Sequence, residues 1–386
     1  MKVKFSDVVR RANTKEDKDN TDKVFYVGGE HIDSNEVLIT KRGIIAGSTI
    51  GPMFYFGFKA GQVLFVSRNP HLRKAGMVDF DGICSEKTFV LETIDENILL
   101  QRYLPFILQS DHFWSYAESN KSGSVNFFIN WSTLAKYEFE LPSIAKQKEL
   151  SDLLWAINDT KLAYRKMLIA TDELVKSQFI ARFGEPITNS KGLPLVKLGE
   201  LGIWKSGGTP SRSNPAYYTG HINWYSAGEL NSMYLSGSVE KITESAVSES
   251  STKIFKKGSM LVGMYDTAAL KMGILVEDSA ANQACANIEP YNNINLVWLY
   301  HTLQIMKDYF LAQRHGCRQK NLSVSMLKNF EIPYAPIDQQ EQFVAFSQQS
   351  DKSKFAAQTV SNLNLSLGLD FRTPTLWDSG LELLPM

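Results

Sequence analysis

The sequence predicts an α+β chain in which a strand-rich globular unit and a long helix behind it occur twice. Three observations predict this. Ile144 to Phe183 contains neither Gly nor Pro, and its apolar residues return at threes and fours, the spacing of one helix face. Sliding the sequence by 193 positions lays Val3-Lys4-Phe5 on Val196-Lys197-Leu198, Gly123 on Gly316, and Ser132, Leu134 and Glu138 on Ser325, Leu327 and Glu331. The same slide carries Ile144, Gln147 and Asn158–Ala163 onto Ile337, Gln340 and Asp351–Ala356. Between these anchors the offset becomes 197, where FKAGQVLF (Phe58 to Phe65) meets FKKGSMLV (Phe255 to Val262), and Lys74 and Gly76 meet Lys271 and Gly273. One offset recurring at both ends of a unit argues for duplication over chance. Third, short apolar stretches such as KVFYV, EVLIT, QVLFV and TFVLE alternate with Gly and Asn, which is strand chemistry.

Taken in order, residues 1–142 form the first unit. A helix is expected from Asp95 to Tyr116, kinked at Pro105. Residues 143–184 form a central spacer helix, its packing stripe made of Leu150, Leu153, Leu154, Ile157, Tyr164, Met167, Leu168 and Leu174. Thr160, Thr171 and Gln178 interrupt that stripe, so it is an imperfect heptad seam. At 1.5 Å per residue it reaches on the order of 60 Å, which suits a spacer more than one domain's core helix. Gly184 and Pro186 end it.

The second unit spans 185–335, with GSMLVGMYDTAALKMGILV as paired strands and a helix from Asn295 to Ala312. A second spacer helix follows at 336–370. Its stripe is weaker, since Ser350, Ala357 and Ser361 replace Ile157, Tyr164 and Leu168, and Gly368 and Pro374 are expected to stop it. Residues 371–386 form a divergent tail.

Composition narrows the classes. Forty-one basic residues balance 41 acidic ones, so any nucleic-acid affinity must be local or borrowed from partners, unlike that of a domain basic throughout. Cys84, Cys285 and Cys317 have no CxxC spacing and do not fall on equivalent positions, which supports neither a disulfide framework nor a zinc site. No apolar run is long enough to cross a membrane, and the N-terminus lacks a signal-peptide core; a cytoplasmic location is expected.

Catalytic readings find little support. Asn214-Pro215-Ala216-Tyr217 approaches the NPPY signature of adenine methyltransferases, but its third residue is Ala and no upstream strand and Gly-rich turn could cradle the methyl donor. A loop turn is the simpler reading. Ser206-Gly207-Gly208-Thr209 lacks the Lys and helix of a phosphate loop and reads as a flexible turn. Glu16, Asp17, Lys18 and Asp22 have a metal nuclease's residue types but sit in a polar run, and the six His show no paired spacing; no metal and no cofactor is expected.

The stretch Trp204 to Leu230, WKSGGTPSRSNPAYYTGHINWYSAGEL, the strand FKKGSMLV, the exit IPxxPIxxQ (Ile332 to Gln340) and the duplicated layout together resemble the specificity subunit of type I restriction-modification systems. The resemblance covers nearly the whole chain; the first unit departs by having no GGTPS segment. It implies two target-recognition domains, each reading half of a bipartite, asymmetric duplex in the major groove. It also implies two long helices packed antiparallel as a coiled-coil spacer, methyltransferase subunits docked on this scaffold for adenine methylation, and a restriction and translocation subunit. The chain itself would catalyse nothing. Alternatives are a fused methyltransferase or nuclease with divergent motifs, and a protein scaffold that does not meet DNA.

On that reading the basic and amide-rich loops are the candidate DNA contacts: Arg68, Asn69, Arg73, Lys74 and Lys121 in the first unit, and Lys205, Arg212, Lys271, Arg314, Arg318, Gln319 and Lys320 in the second. Arg and Lys suit phosphates and guanine edges, Asn and Gln suit adenine. Trp204, Trp224 and Tyr225 are expected as anchors, because a duplex exposes no base to stack on.

Overall fold

A computed structural model describes residues 1–313 and 321–366, with side chains described as far as Asp351. The candidates Arg314, Arg318, Gln319 and Lys320, with Cys317 and the tail, lie outside the described residues. The chain divides into two compact units, whose continuous parts are Met1–Arg165 and Lys166–Ala357. That division falls inside the central helix. The helix expected as a body of its own therefore contributes its first half to one unit and its second half to the other.

In unit 1, Lys2–Lys4 pairs with Glu138–Glu140, joining the unit's start to its end. A five-stranded sheet runs in the order Val9–Ala12, Thr88–Thr93, Val63–Val66, Ala75–Val78, Leu38–Ile39. Its neighbours are antiparallel except the last pair. A second sheet orders Gly43–Ile44, Phe25–Val27, Gly82–Ser85 and Phe54–Phe58. Successive residues of a strand face opposite sides. Val63 and Phe65 accordingly enter the core shared with the helices, while Leu64 and Val66 enter the core beneath the smaller sheet. A central strand covered on both faces explains why Val63–Val66 is continuously apolar.

Unit 2 repeats this plan in the same register. Its sheet order is Gly202–Ser206, Cys285–Pro290, Met260–Gly263, Met272–Leu275, Tyr234–Leu235. Ala12 faces Val90 in unit 1 and Lys205 faces Asn287 in unit 2, which reproduces the offsets of 193 and 197 in backbone pairing. The smaller sheet keeps three strands, Glu240–Ile242, Ile222–Tyr225 and Ala280–Ala281. Where unit 1 has Phe54–Phe58, unit 2 retains a single bridge, Phe255 to Ser279.

Two helix expectations are corrected. Asp95 to Tyr116 is not one kinked helix but the turn Gln101–Tyr103, the short helix Leu104–Leu108 and the helix Asp111–Ser119. Pro105 sits in the first turn of Leu104–Leu108, where its missing N–H costs nothing, and Ser110 caps the next helix by accepting from Phe113 N. Asn295 to Ala312 likewise divides at Met306, with the Asn295 side chain accepting from Val297 N.

The central helix is Ile144–Phe183, and Gly184 ends it at φ +81°, its N–H bonded to Ile180 O. Its buried row in unit 1 is Gln147, Ser151, Leu154 and Asn158. Leu150 and Ile157 flank this row, half-buried, and Tyr164 and Leu168 are also half-buried. Leu153, Met167 and Leu174 are exposed, contrary to the stripe expected of them. The reason is that three of the four residues in the buried row are polar, so counting apolar side chains alone rotates the inferred face. In unit 2 the helix buries Val175, Phe179 and Phe183, and Phe179 and Phe183 meet Phe343 and Trp298. The second long helix is Ile337–Ser366.

Gln147 and Gln340 show why each long helix begins where it does. Gln147 Nε2 donates to Ile98 O and Pro142 O, both at 2.9 Å, and its Oε1 accepts from Leu100 N at 3.0 Å. Gln340 Nε2 donates to Ala335 O and Asn293 O, and its Oε1 accepts from Asn295 N. Both side chains are fully buried, so each amide satisfies backbone groups that water cannot reach.

Candidate nucleic-acid interface

In each unit the site is built around the connection between the third and fourth strands of the larger sheet. In unit 1 this is 67–74, with Asn69 and Arg73 both left-handed at φ 51° and 50°. In unit 2 the equivalent residues Asp266 and Leu270 are left-handed at φ 47° and 56°. Non-glycine residues adopt this conformation at a cost, so its recurrence at both positions marks the connection as one design used twice.

Folding brings the two unit 1 loops nominated from sequence together. Arg68 forms a bridge with Phe128, Asn69 N donates to Phe127 O at 2.8 Å, and Ile129 N donates to Ser67 O at 2.9 Å. Ser122 and Phe128 exchange a further pair of bonds, which closes the loop that begins directly after Lys121. Gly123 is required there: its φ is +95°, and a Cβ would lie 2.6 Å from Asn126 O. Ser67 N reaches Lys87 O at 2.8 Å, adding a third stretch to this rim. In unit 2, Met264 N donates to Ala284 O and Leu322 N donates to Met264 O, the equivalent bonds.

The candidate cations differ in how they are held. Arg73 Nη1 donates to Asp111 Oδ1 at 2.5 Å, and Lys74 Nζ donates to Gly29 O at 2.5 Å. Lys271 Nζ donates to Asn231 Oδ1 at 2.8 Å and Gly228 O at 3.2 Å. Gly29 and Gly228 occupy the short turns Gly29–His31 and Ala227–Glu229 that follow corresponding strands. The lysine shared by the units is thus a tie between two loops. Arg212 is bound through both outer nitrogens to Glu240, at 2.5 and 2.8 Å, and stacks 4.3 Å from the centre of the Tyr218 ring. Lys205 lies 3.5 Å from Glu289, and Lys121 lies 4.4 Å from the centre of the Phe127 ring.

Arg68 is exposed, and Asn69 is half-buried beside it. Glu86, on the same rim, is held below the usual carboxylate range chiefly by Lys87, with Arg68 adding to the effect. Sequence reasoning missed Lys87, whose only signal was the turn before TFVLE. It also missed Phe128 and Val125, two apolar side chains exposed on this rim.

The GGTPS segment is a tight packing point and not the flexible turn expected. A Cβ on Gly207 would lie 2.1 Å from Asn282 O, and one on Gly208 2.6 Å from Ser251 backbone. Trp224 Nε1 donates to Gly208 O at 3.0 Å, and Trp224 and Tyr225 are buried, as expected of anchors. Trp204 is half-buried, its Nε1 donating to Leu198 O. Asn214 caps the turn Pro215–Tyr218 by accepting from Ala216 N, which is a loop role. Burial pushes the Cys84 and Cys285 thiols up to about 12, leaving both protonated and inert at neutral pH. Among the described residues no three His, Cys, Asp or Glu side chains are grouped as metal ligands. No helix among them is long and apolar enough to cross a membrane.

A duplicated unit that pairs a sheet-borne loop rim with a long helix defines a modular two-unit protein. Residues 191–364 match the family model of the type I restriction modification DNA specificity domain. The chain is 28% identical over 283 residues to the specificity subunit of the Escherichia coli type I restriction enzyme EcoR124I/EcoR124II, covering 69% of this chain and 67% of that one. It is 30% identical over 159 residues to the MjaIX specificity subunit of Methanocaldococcus jannaschii, covering 39% of this chain and 36% of the other. The crystal structure of the type I restriction-modification S subunit from M. genitalium has the same fold, with a TM-score of 0.63 at 13% identity over 95% of this chain and 93% of that one. The chain is thus similar to the specificity subunits of type I restriction-modification systems, by family model over residues 191–364 and by sequence over 69% of its length.

Proposed function

We propose that this chain is the DNA-reading, non-catalytic scaffold of such a system, each unit recognising one half of a bipartite duplex target. The observation that carries this is the twofold occurrence of one rim, with the same sheet order, register and pair of left-handed residues, beside a long helix. Residues 1–142 and 185–335 act as the two recognition domains. The helices at 143–184 and 336–370 pack antiparallel and hold the half-sites apart. Methyltransferase subunits dock on this scaffold and methylate adenine, a restriction and translocation subunit joins for cleavage, and the complex works in the cytoplasm.

In unit 1, Arg68, Asn69 and Lys121 face the major groove, where Arg suits guanine and Asn suits adenine. Arg73, Lys74, Arg212 and Lys271 position the loops, and Lys205 supplies charge at the edge. Overall neutrality implies weak binding by the chain alone and strong, salt-sensitive binding in the complex. The test is a methylation map of random-sequence DNA exposed to the chain with its methyltransferase partner. A two-part motif with a fixed gap supports the reading. Methylation without sequence preference contradicts it.

A further inference from the structure

We infer that Glu36 is a positioning residue that locks the first recognition unit to the central helix and thereby narrows the gap tolerated between half-sites. This rests on the bipartite reading above. The Glu36 carboxylate, 16% exposed, accepts from Lys161 Nζ at 3.0 and 2.9 Å and lies 2.9 Å from Arg165 Nη2. All three residues belong to unit 1. The charges sit one helical turn apart and converge on one half-buried acid, a geometry that outperforms an isolated surface pair.

Position along the helix gives the contact its leverage. Gln147 fixes the first turn, Arg102 with Asp152 and Trp155 Nε1 to Arg102 O fix the next, and Glu36 grips two to three turns further on. From Gln147 to Arg165 the held length is roughly 27 Å. An error in tilt at the domain is therefore suppressed along the helix.

The residue before this acid touches the reading rim, and the backbone of the acid itself is held by Gln109. Asn35 N donates to Arg73 O at 3.1 Å, and Gln109 Nε2 donates to Glu36 O at 3.1 Å. Spacer helix, Glu36 loop and rim loop are thus one bonded path. Unit 2 lacks the carboxylate. The register that lays Leu38 on Tyr234 puts Ser232 at the position of Glu36, and its hydroxyl donates to Tyr234 O. Among the described residues, unit 2 has no counterpart of this lock.

The experiment compares gap tolerance in the complete complex, using duplexes that carry the cognate half-sites at the native gap and one base pair shorter or longer. Glu36→Gln removes the charge at nearly constant shape. It should raise methylation at the altered gaps about tenfold relative to the native gap, with both half-site sequences unchanged. Glu36→Arg combined with Lys161→Glu and Arg165→Glu rebuilds the pairs with reversed sign and should restore the narrow preference. Unchanged gap preference in Glu36→Gln would overturn the lock while leaving bipartite recognition standing. A uniform loss of methylation that the reversed triple does not restore would also overturn it. A wild-type map with no two-part motif would instead remove the reading beneath it.

Discussion

The rims of the two units share a backbone and differ in chemistry. Asn69 and Arg73 in one, and Asp266 and Leu270 in the other, adopt the same left-handed geometry. Around them, unit 1 gathers Arg68, Lys87 and Lys121, whereas unit 2 brings in the GGTPS segment, with Thr209 hydrogen-bonded to Gln283. Lys74 and Lys271 are the informative pair. Their equivalence suggests a shared DNA contact, yet each ammonium is bonded to a glycine carbonyl of its own unit. What recurs between the units is the frame, and what differs is the set of side chains the frame presents. A modular reader needs that division, because new targets then require no new fold.

The strongest way to break the comparison is through the frame. Gln147→Ala leaves Leu100 N, Ile98 O and Pro142 O without their buried partner, and Gln340→Ala does the same to Asn295 N and Ala335 O. Each should cost about 2–4 kcal/mol in denaturant unfolding, since several buried backbone groups lose a hydrogen bond together. A large loss for one and none for the other would mean the units are not built alike.

A smaller effect is expected where the units diverge. Gly208→Ala forces a methyl against Ser251 backbone and should destabilise by about 1–3 kcal/mol. Lys15→Ala, at the exposed unit 1 position that the offset of 193 lays on Gly208, should stay within about 0.5 kcal/mol. Thermal unfolding of the two variants side by side checks this.

The Lys74→Met and Lys271→Met pair sharpens the division between frame and reader. Each should lose about 1 kcal/mol of stability and leave the salt dependence of DNA binding unchanged, because the ammonium serves the fold. A reduced salt slope with unchanged stability would assign these lysines to phosphate instead. The smallest effect concerns the thiols: Cys84 and Cys285 should resist a thiol reagent at pH 7 and react only on unfolding.

The duplication, the register and both ends of the central helix were legible because repeated residues and an absence of Gly and Pro are visible in one dimension. The helix's buried face was not. Gln147, Ser151 and Asn158 lie inward, and their polarity hides them from an apolar count. The candidate cations were legible as a list but not in their roles. That Arg73 reaches Asp111, or Arg212 reaches Glu240, depends on contacts 38 and 28 residues away in sequence. The glycines of GGTPS read as freedom of motion, whereas folding places backbone against them and makes them points of contact.

The most direct test of a shared frame carrying separate readers is a methylation map after exchange of one unit. Residues 3–142 would be replaced by the corresponding domain of another specificity subunit, and the complex mapped with the same methyltransferase partner. The account predicts a motif in which one half changes, the other half stays as it was, and methylation remains efficient. A map in which both halves change together would contradict it.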